Sequence, residues 1–172
     1  QNSRVTMQID MGFGDVITPA AVLTKYPVLL DFAAPQILGY PRETVVAEKF
    51  EAMTKLGLLN SRMKDFYDLW ILSKQFDFDG ATLAAAIQKT FVNRSTTVIS
   101  RPTALTPAFG NDNSKQMQWQ GFLKKTKLDG APTSLQVVID DLVSFLGPVA
   151  EAIESRSVFD RRWTPLGPWR SS

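Results

Sequence analysis

The chain contains no cysteine and no histidine. Without thiols it forms no disulfide, no thiolate nucleophile and no thiolate metal site. Without imidazole it has no side chain whose ordinary pKa lies near neutrality, so acid–base work falls to Asp, Glu, Lys or Tyr. Structural zinc loses its usual ligands, and any metal would be a hard, oxygen-bound ion such as magnesium. An excess of one charge is also missing. The 19 Lys and Arg against 17 Asp and Glu leave +2, too little to announce a nucleic-acid or membrane partner. No run approaches the ~20 apolar residues of a membrane span. The opening QNSRVTMQID lacks the apolar centre of a secretory signal. The expectation is a cytoplasmic protein with no membrane contact.

What is present suits one folded domain with a real core: 172 residues, 44% of them apolar and 21% charged. Residues 5–13, VTMQIDMGF, alternate apolar and polar side chains and predict a strand, closed by the glycines of GFGD. Residues 28–32 and 36–40 are short extended candidates. After Tyr40 the period becomes helical. Val46, Phe50 and Met53 share a face, and Gly57 stops that helix. Asn60 or Ser61 caps a second helix running to about Gln75, and a third starts at Asp79-Gly80. A fourth spans about 113–127. The last long one carries a wide apolar stripe from Leu135 to Val149, which Pro148 is expected to kink or end.

The organisation expected is α+β and mostly helical. Residues 1–40 form a strand-bearing start, 41–153 a helical bundle, and 154–172 a basic, aromatic tail. Two or three strands do not make a stable sheet unaided, so they must lie on the helices or join further strands. An unpaired edge at residues 5–13 invites pairing between two copies of the chain.

The stretch NSRMKDFYDLW, residues 60–70, sets four charges among its aromatics. Asp65 and Asp68 project together from a helix, with Arg62 and Lys64 beside them. Two readings stand. In one, Arg62–Asp65 and Lys64–Asp68 are exposed ion pairs that contribute a few tenths of a kcal/mol each. In the other, the charged face lines a site. The same choice applies to Lys49, at the edge of its apolar stripe, and to Asp10, on the wet side of its strand. Glu51 and Lys55 read as a solvent-exposed pair in the favoured order.

IDMGFGDVITP (9–19), YPRETVVAEKFEAM (40–53) and LGLLNSRMKDFYDLW (56–70) come in this order. Together they resemble the AbiEii/AbiGii toxin family of nucleotidyltransferases, within the DNA polymerase beta-like superfamily. The likeness continues more loosely through FDFDGATLAAAI and the helix around Trp119. It implies strands from the edge of a nucleotidyltransferase sheet, then a C-terminal helical bundle. It implies magnesium-dependent transfer of a nucleotide from an NTP to an acceptor, for example a tRNA, by a toxin paired with an antitoxin protein. Matched residue by residue, Asp10 would join the metal-binding aspartates. Lys49 of the AEK motif would contact the nucleotide phosphates. Asp65 and Asp68 would be the acidic pair of the KDxxD motif, and Arg62 and Lys64 would add positive charge toward the triphosphate.

The family carries a Gly-Ser turn and an Asp-x-Asp strand ahead of the position of Asp10, and only nine residues precede Asp10 here. The resemblance is therefore to the C-terminal part of such an enzyme, and this piece by itself is expected not to transfer nucleotides. FDFD at 76–79 imitates the missing pair but leads into a helix, so Asp79 reads as a cap. The alternative from another class is a non-catalytic helical module that binds a protein partner. A third reading makes the tail a base-stacking nucleic-acid arm, against which Pro165, Gly167 and Pro168 suggest a strap packing its tryptophans on the bundle.

Overall fold

The computed structural model describes residues 4, 6–9, 12–128 and 130–171. Helices dominate them: α1 (Arg42–Leu56), α2 (Met63–Gln75), α3 (Gly80–Asn93), the single turn α4 (Pro107–Gly110), α5 (Asn113–Thr126) and α6 (Leu135–Glu154). Strands are short. β1 (Val22–Lys25) and β2 (Gln36–Gly39) form an antiparallel hairpin, and β3 (Phe78–Asp79), β4 (Arg161–Trp163) and β5 (Arg170–Ser171) form a three-stranded antiparallel sheet in that order.

Several helix ends have local causes. Gly57, at φ +49°, closes α1 with its N–H on the Met53 carbonyl. Asp79 caps α3: its carboxylate accepts from the Thr82 N–H at 2.8 Å and the Thr82 hydroxyl at 2.6 Å. Asp112 caps α5 in the same way through the Lys115 N–H. Of the kink or end that its sequence position suggested, Pro148 does not end α6; the helix runs through it to Glu154. Phe145, Leu146 and Val149 around it are fully buried. Tertiary packing, which supplies most helical stability in proteins, outweighs the one hydrogen bond that proline removes.

α1 packs most extensively on α3, while α6 lies against α2, α3 and α4. Val46, Phe50 and Met53 of α1 meet Leu83, Ile87 and Phe91 of α3 in a core completed by the stripe of α6. The Phe50 and Phe91 rings lie 5.4 Å apart. All four tryptophans are tied by their indole N–H: Trp70 to Asp141, Trp119 to the Pro132 carbonyl, Trp163 to that of Ser73, and Trp169 to that of Phe145. The tail is therefore part of the core. Trp163 and Trp169 are 2% and 8% exposed and pack on Phe145. Neither keeps a face open for a base, which removes the nucleic-acid arm reading.

The N-terminal segment departs from expectation. Residues 6–9 and 12–13 form no strand, and Val5, Asp10 and Met11 lie outside the described residues. A strand exists only where a neighbouring strand completes its ladder, and neither sheet of the described residues includes this stretch. Residues 28–32 form the loop of the β1–β2 hairpin rather than a strand, and β1 itself carried no clear alternation. The segment is held to the bundle at Thr18, whose N–H and C=O both bond the Thr44 hydroxyl, at 2.9 and 2.8 Å.

The tail's packing yields a stability prediction. Trp169→Ala should cost about 3–5 kcal/mol in a denaturant titration. Gly80→Ala should destabilise by the same route, since its methyl would stand 2.6 Å from the Arg161 carbonyl and 2.7 Å from the Phe159 ring. A loss below about 1 kcal/mol for Trp169→Ala would show that the tail does not belong to the cooperative core.

Candidate active site between α1, α2 and α5

α1 presents three stripes. Val46, Phe50 and Met53 enter the core. Thr44, Glu48 and Glu51 face the N-terminal segment and the end of α3. Val45, Lys49 and Ala52 face a cleft of about 200 Å³ whose other walls are Glu48, Arg62, Asp65 and Arg94.

The corner between α1 and α2 places the second wall. Asn60 is fully buried. Its side-chain oxygen accepts from the Arg62 N–H at 2.8 Å, and its carbonyl accepts from the Lys115 ammonium at 2.9 Å. Asn60 lies three residues ahead of the first helical residue, Met63. The N-cap position is Arg62, without a side-chain cap, and Asn60 instead holds the Arg62 N–H just ahead of the helix, where the sequence suggested Asn60 or Ser61 as the cap. Phe66 and Leu69 then enter the core and turn Asp65 and Asp68 toward α1.

The Lys49 ammonium lies between these carboxylates, 2.6 Å from Asp65 Oδ1 and 2.8 Å from Asp68 Oδ2. Lys64 reaches Asp68 Oδ2 at 2.6 Å, and Arg62 approaches Asp65 at 3.8 Å. The result is a row of alternating sign: Arg62, Asp65, Lys49, Asp68, Lys64. The flanking pairs were expected and are present. The centre is different in kind, because Asp65 and Lys49 keep only 14% and 20% of their side-chain exposure. Burial alone would push the Lys49 amine down. Hydrogen bonds to Asp65 and Asp68, with their charges, outweigh that and hold it above the ordinary lysine value. Lys49 is therefore a fixed cation at neutral pH and not a base.

Asp65 also borders a second, larger concavity of about 530 Å³ on the opposite side, between the start of α2 and α5. Arg62, Lys64 and Lys125 carry positive charge there, Phe122 gives an apolar wall, and Gly121 leaves space where any other residue would place a Cβ.

Of the residues singled out in the sequence, Lys49, Asp65, Asp68, Arg62 and Lys64 come together. Asp10 lies outside the described residues. Magnesium finds no fitting donor set among the described residues: no three carboxylates gather to hold an ion, and Asp65 and Asp68 are both committed to Lys49.

The sequence pattern misled at Glu51. Its spacing to Lys55 suggested a solvent pair. The structure instead buries its side chain to 3% exposure, with Arg94 at 3.1 Å and the Thr96 hydroxyl at 2.5 Å. Arg94 also reaches Asp15 at 3.0 Å and Glu48 at 3.8 Å. Burial, then the charge of Asp15, raises the Glu48 pKa, against the opposing pull of Arg94 and Lys49. Nothing local marks Arg94 in advance, since its partners lie 43 and 79 residues away.

A family model described as "Nucleotidyl transferase AbiEii toxin, Type IV TA system" matches residues 1–142. No curated protein and no solved structure matches the chain. The family match takes in α1, α2 and the whole Lys49–Asp65–Asp68 arrangement. The chain belongs to the AbiEii family of nucleotidyl transferase toxins of type IV toxin–antitoxin systems.

Proposed function

We propose that the cleft beside Lys49 binds the phosphates of an NTP and that the chain serves nucleotidyl transfer to an acceptor hydroxyl, for which an RNA end such as that of a tRNA is suited. One observation carries this reading: an ammonium in the small cleft fixed by two carboxylates, one of which, Asp65, borders both concavities. An ammonium has three donors. Two go to Asp65 and Asp68, and the third remains for a phosphate oxygen. Arg62 and Lys64 extend the positive charge toward the phosphates. In the transfer, an acceptor oxygen bonds to the α-phosphorus, the α–β phosphoanhydride bond breaks, and pyrophosphate leaves with its electron pair. The acceptor proton passes to a carboxylate. Asp65 is the candidate, because it borders both the small cleft and the larger groove. Asp68 acts by holding Lys49 and Lys64. A divalent ion, magnesium by family resemblance, would require Asp10 or residues beyond the described set. The protein partner in this reading is the cognate antitoxin of the family's toxin–antitoxin pairing.

A second reading, a non-catalytic interaction module, draws on the apolar side chains exposed in the N-terminal segment, among them Leu23, Leu29, Leu30, Phe32 and Leu38. Nucleotide binding separates the two.

Lys49→Ala should weaken NTP affinity about 10- to 100-fold, the value of a charge-assisted hydrogen bond, as measured by calorimetry on the folded protein. Asp65→Asn should leave affinity within a few-fold and, in a longer protein that includes the Gly-Ser turn and the Asp-x-Asp strand, lower turnover by about 10²-fold or more. Unchanged NTP affinity in Lys49→Ala would sink the enzymatic reading in favour of the interaction module.

The pH dependence follows from the raised Lys49 pKa. A value above the unfolded one means that the ammonium's contribution is complete below the ordinary lysine range. It is lost only as pH rises through the folded-state value. NTP affinity should therefore show no lysine-dependent fall between pH 7 and about 10. A titration with a midpoint near 8 that disappears in Lys49→Arg would contradict the geometry.

A further inference from the structure

Arg94 sits at the end of α3, away from the motifs that mark the site, yet it lines the same cleft as Lys49 and Arg62. Its guanidinium gathers three carboxylates from two distant parts of the chain: Glu48 and Glu51 on α1, and Asp15 in the N-terminal segment. Its neighbour Asn93 donates to the Gly14 carbonyl at 2.9 Å, beside the positive φ of Gly14. Two consecutive residues at one helix end thus grip residues 14–15, and one of them also caps the acidic stripe of α1.

The charges explain why this matters to the cleft. Its lining holds three cations, Lys49, Arg62 and Arg94, against two carboxylates, Glu48 and Asp65. With Arg94 gone, the count becomes two against two, and Asp15 and Glu51 lose their counter-ion beside it. A triphosphate would then meet a cleft with no positive excess. The Glu48 oxygen Oε1 is buried without a hydrogen bond, so Arg94 is the cation that compensates it.

We infer that Arg94 is a positioning residue of the Lys49 cleft: it clasps residues 14–15 to α1 and serves as counter-ion to Asp15, Glu48 and Glu51, leaving the cleft receptive to anions. The clasp stands on the geometry alone. The anion arm rests on the proposed nucleotide reading of the cleft.

The experiment compares wild type with Arg94→Gln, Arg94→Lys, Asp15→Asn and the double variant Arg94→Gln/Glu48→Gln. Hydrogen exchange at Thr18, whose N–H bonds the Thr44 hydroxyl just beyond the clasp, reads the clasp without any ligand. Calorimetry with inorganic triphosphate reads the cleft. Arg94→Gln should speed exchange at Thr18 by about tenfold or more while the core amides of α3 and α6 keep their protection. It should weaken triphosphate binding about tenfold, one charge's worth near a partly buried site. Adding Glu48→Gln should restore most of that affinity and none of the protection, and Arg94→Lys should keep affinity better than protection, since it retains charge without the planar fork. Asp15→Asn leaves Glu51 paired and gives the same exchange readout should Arg94→Gln prove too destabilised to compare. Unchanged exchange in both Arg94→Gln and Asp15→Asn would overturn the clasp. An affinity loss that Glu48→Gln fails to restore would overturn the counter-ion role. Absence of triphosphate binding by wild type would sink the nucleotide reading and the anion arm together, while the exchange data would still decide the clasp.

Discussion

The Lys49 ammonium, held between Asp65 and Asp68, is the interaction on which the rest of the site depends. It joins α1 to α2. Its short contacts fix the rotation of α2 about its own axis, because Asp65 and Asp68 can both reach one amine only when Phe66 and Leu69 point into the core. The same rotation sends Arg62 and Lys64 to the two ends of the row.

A trio of this kind is an inefficient way to stabilise a helix pair. Withdrawing charges from water costs several kcal/mol per ion, and well-packed apolar residues often do as well or better. The bundle has ample apolar material, as Phe50, Phe66 and Phe109 show. Departures of this sort from the locally cheapest choice concentrate at functional sites. Here the departure lies at the mouths of two concavities and inside the segment matched by a nucleotidyl transferase family.

Much of this was legible in the sequence, for a definite reason. Lys49, Asp65 and Asp68 lie on regular helices, where spacing fixes the face, and the stops at Gly57 and Asp79 are local chemistry. The acidic pair was visible, but its partner was not: Lys64 and Arg62 satisfied it on paper, and Lys49 is 16 residues upstream of Asp65. Glu51 shows the opposite failure. An i,i+4 lysine gave it a solvent partner on paper, whereas burial gave it Arg94 and Thr96 from the far end of α3. The alternation at residues 5–13 was real as a pattern, yet a pattern states which face a strand would bury and cannot supply the neighbour that makes it a strand.

α1 resolves these cases into one constraint. Its three stripes leave no face idle: one joins the core, one holds Lys49, and one carries Thr44, Glu48 and Glu51. The third stripe receives the N-terminal segment at two points, Thr18 on Thr44 and, through Arg94, Asp15 on Glu48 and Glu51. The hairpin that follows them exposes both faces of β1 and β2, and a two-stranded hairpin has little stability of its own. Order in the N-terminal segment is therefore borrowed from α1. Any movement of α1 that loosened Lys49 from α2 would also shift the anchors of that segment, so the two sides of the cleft are mechanically one element.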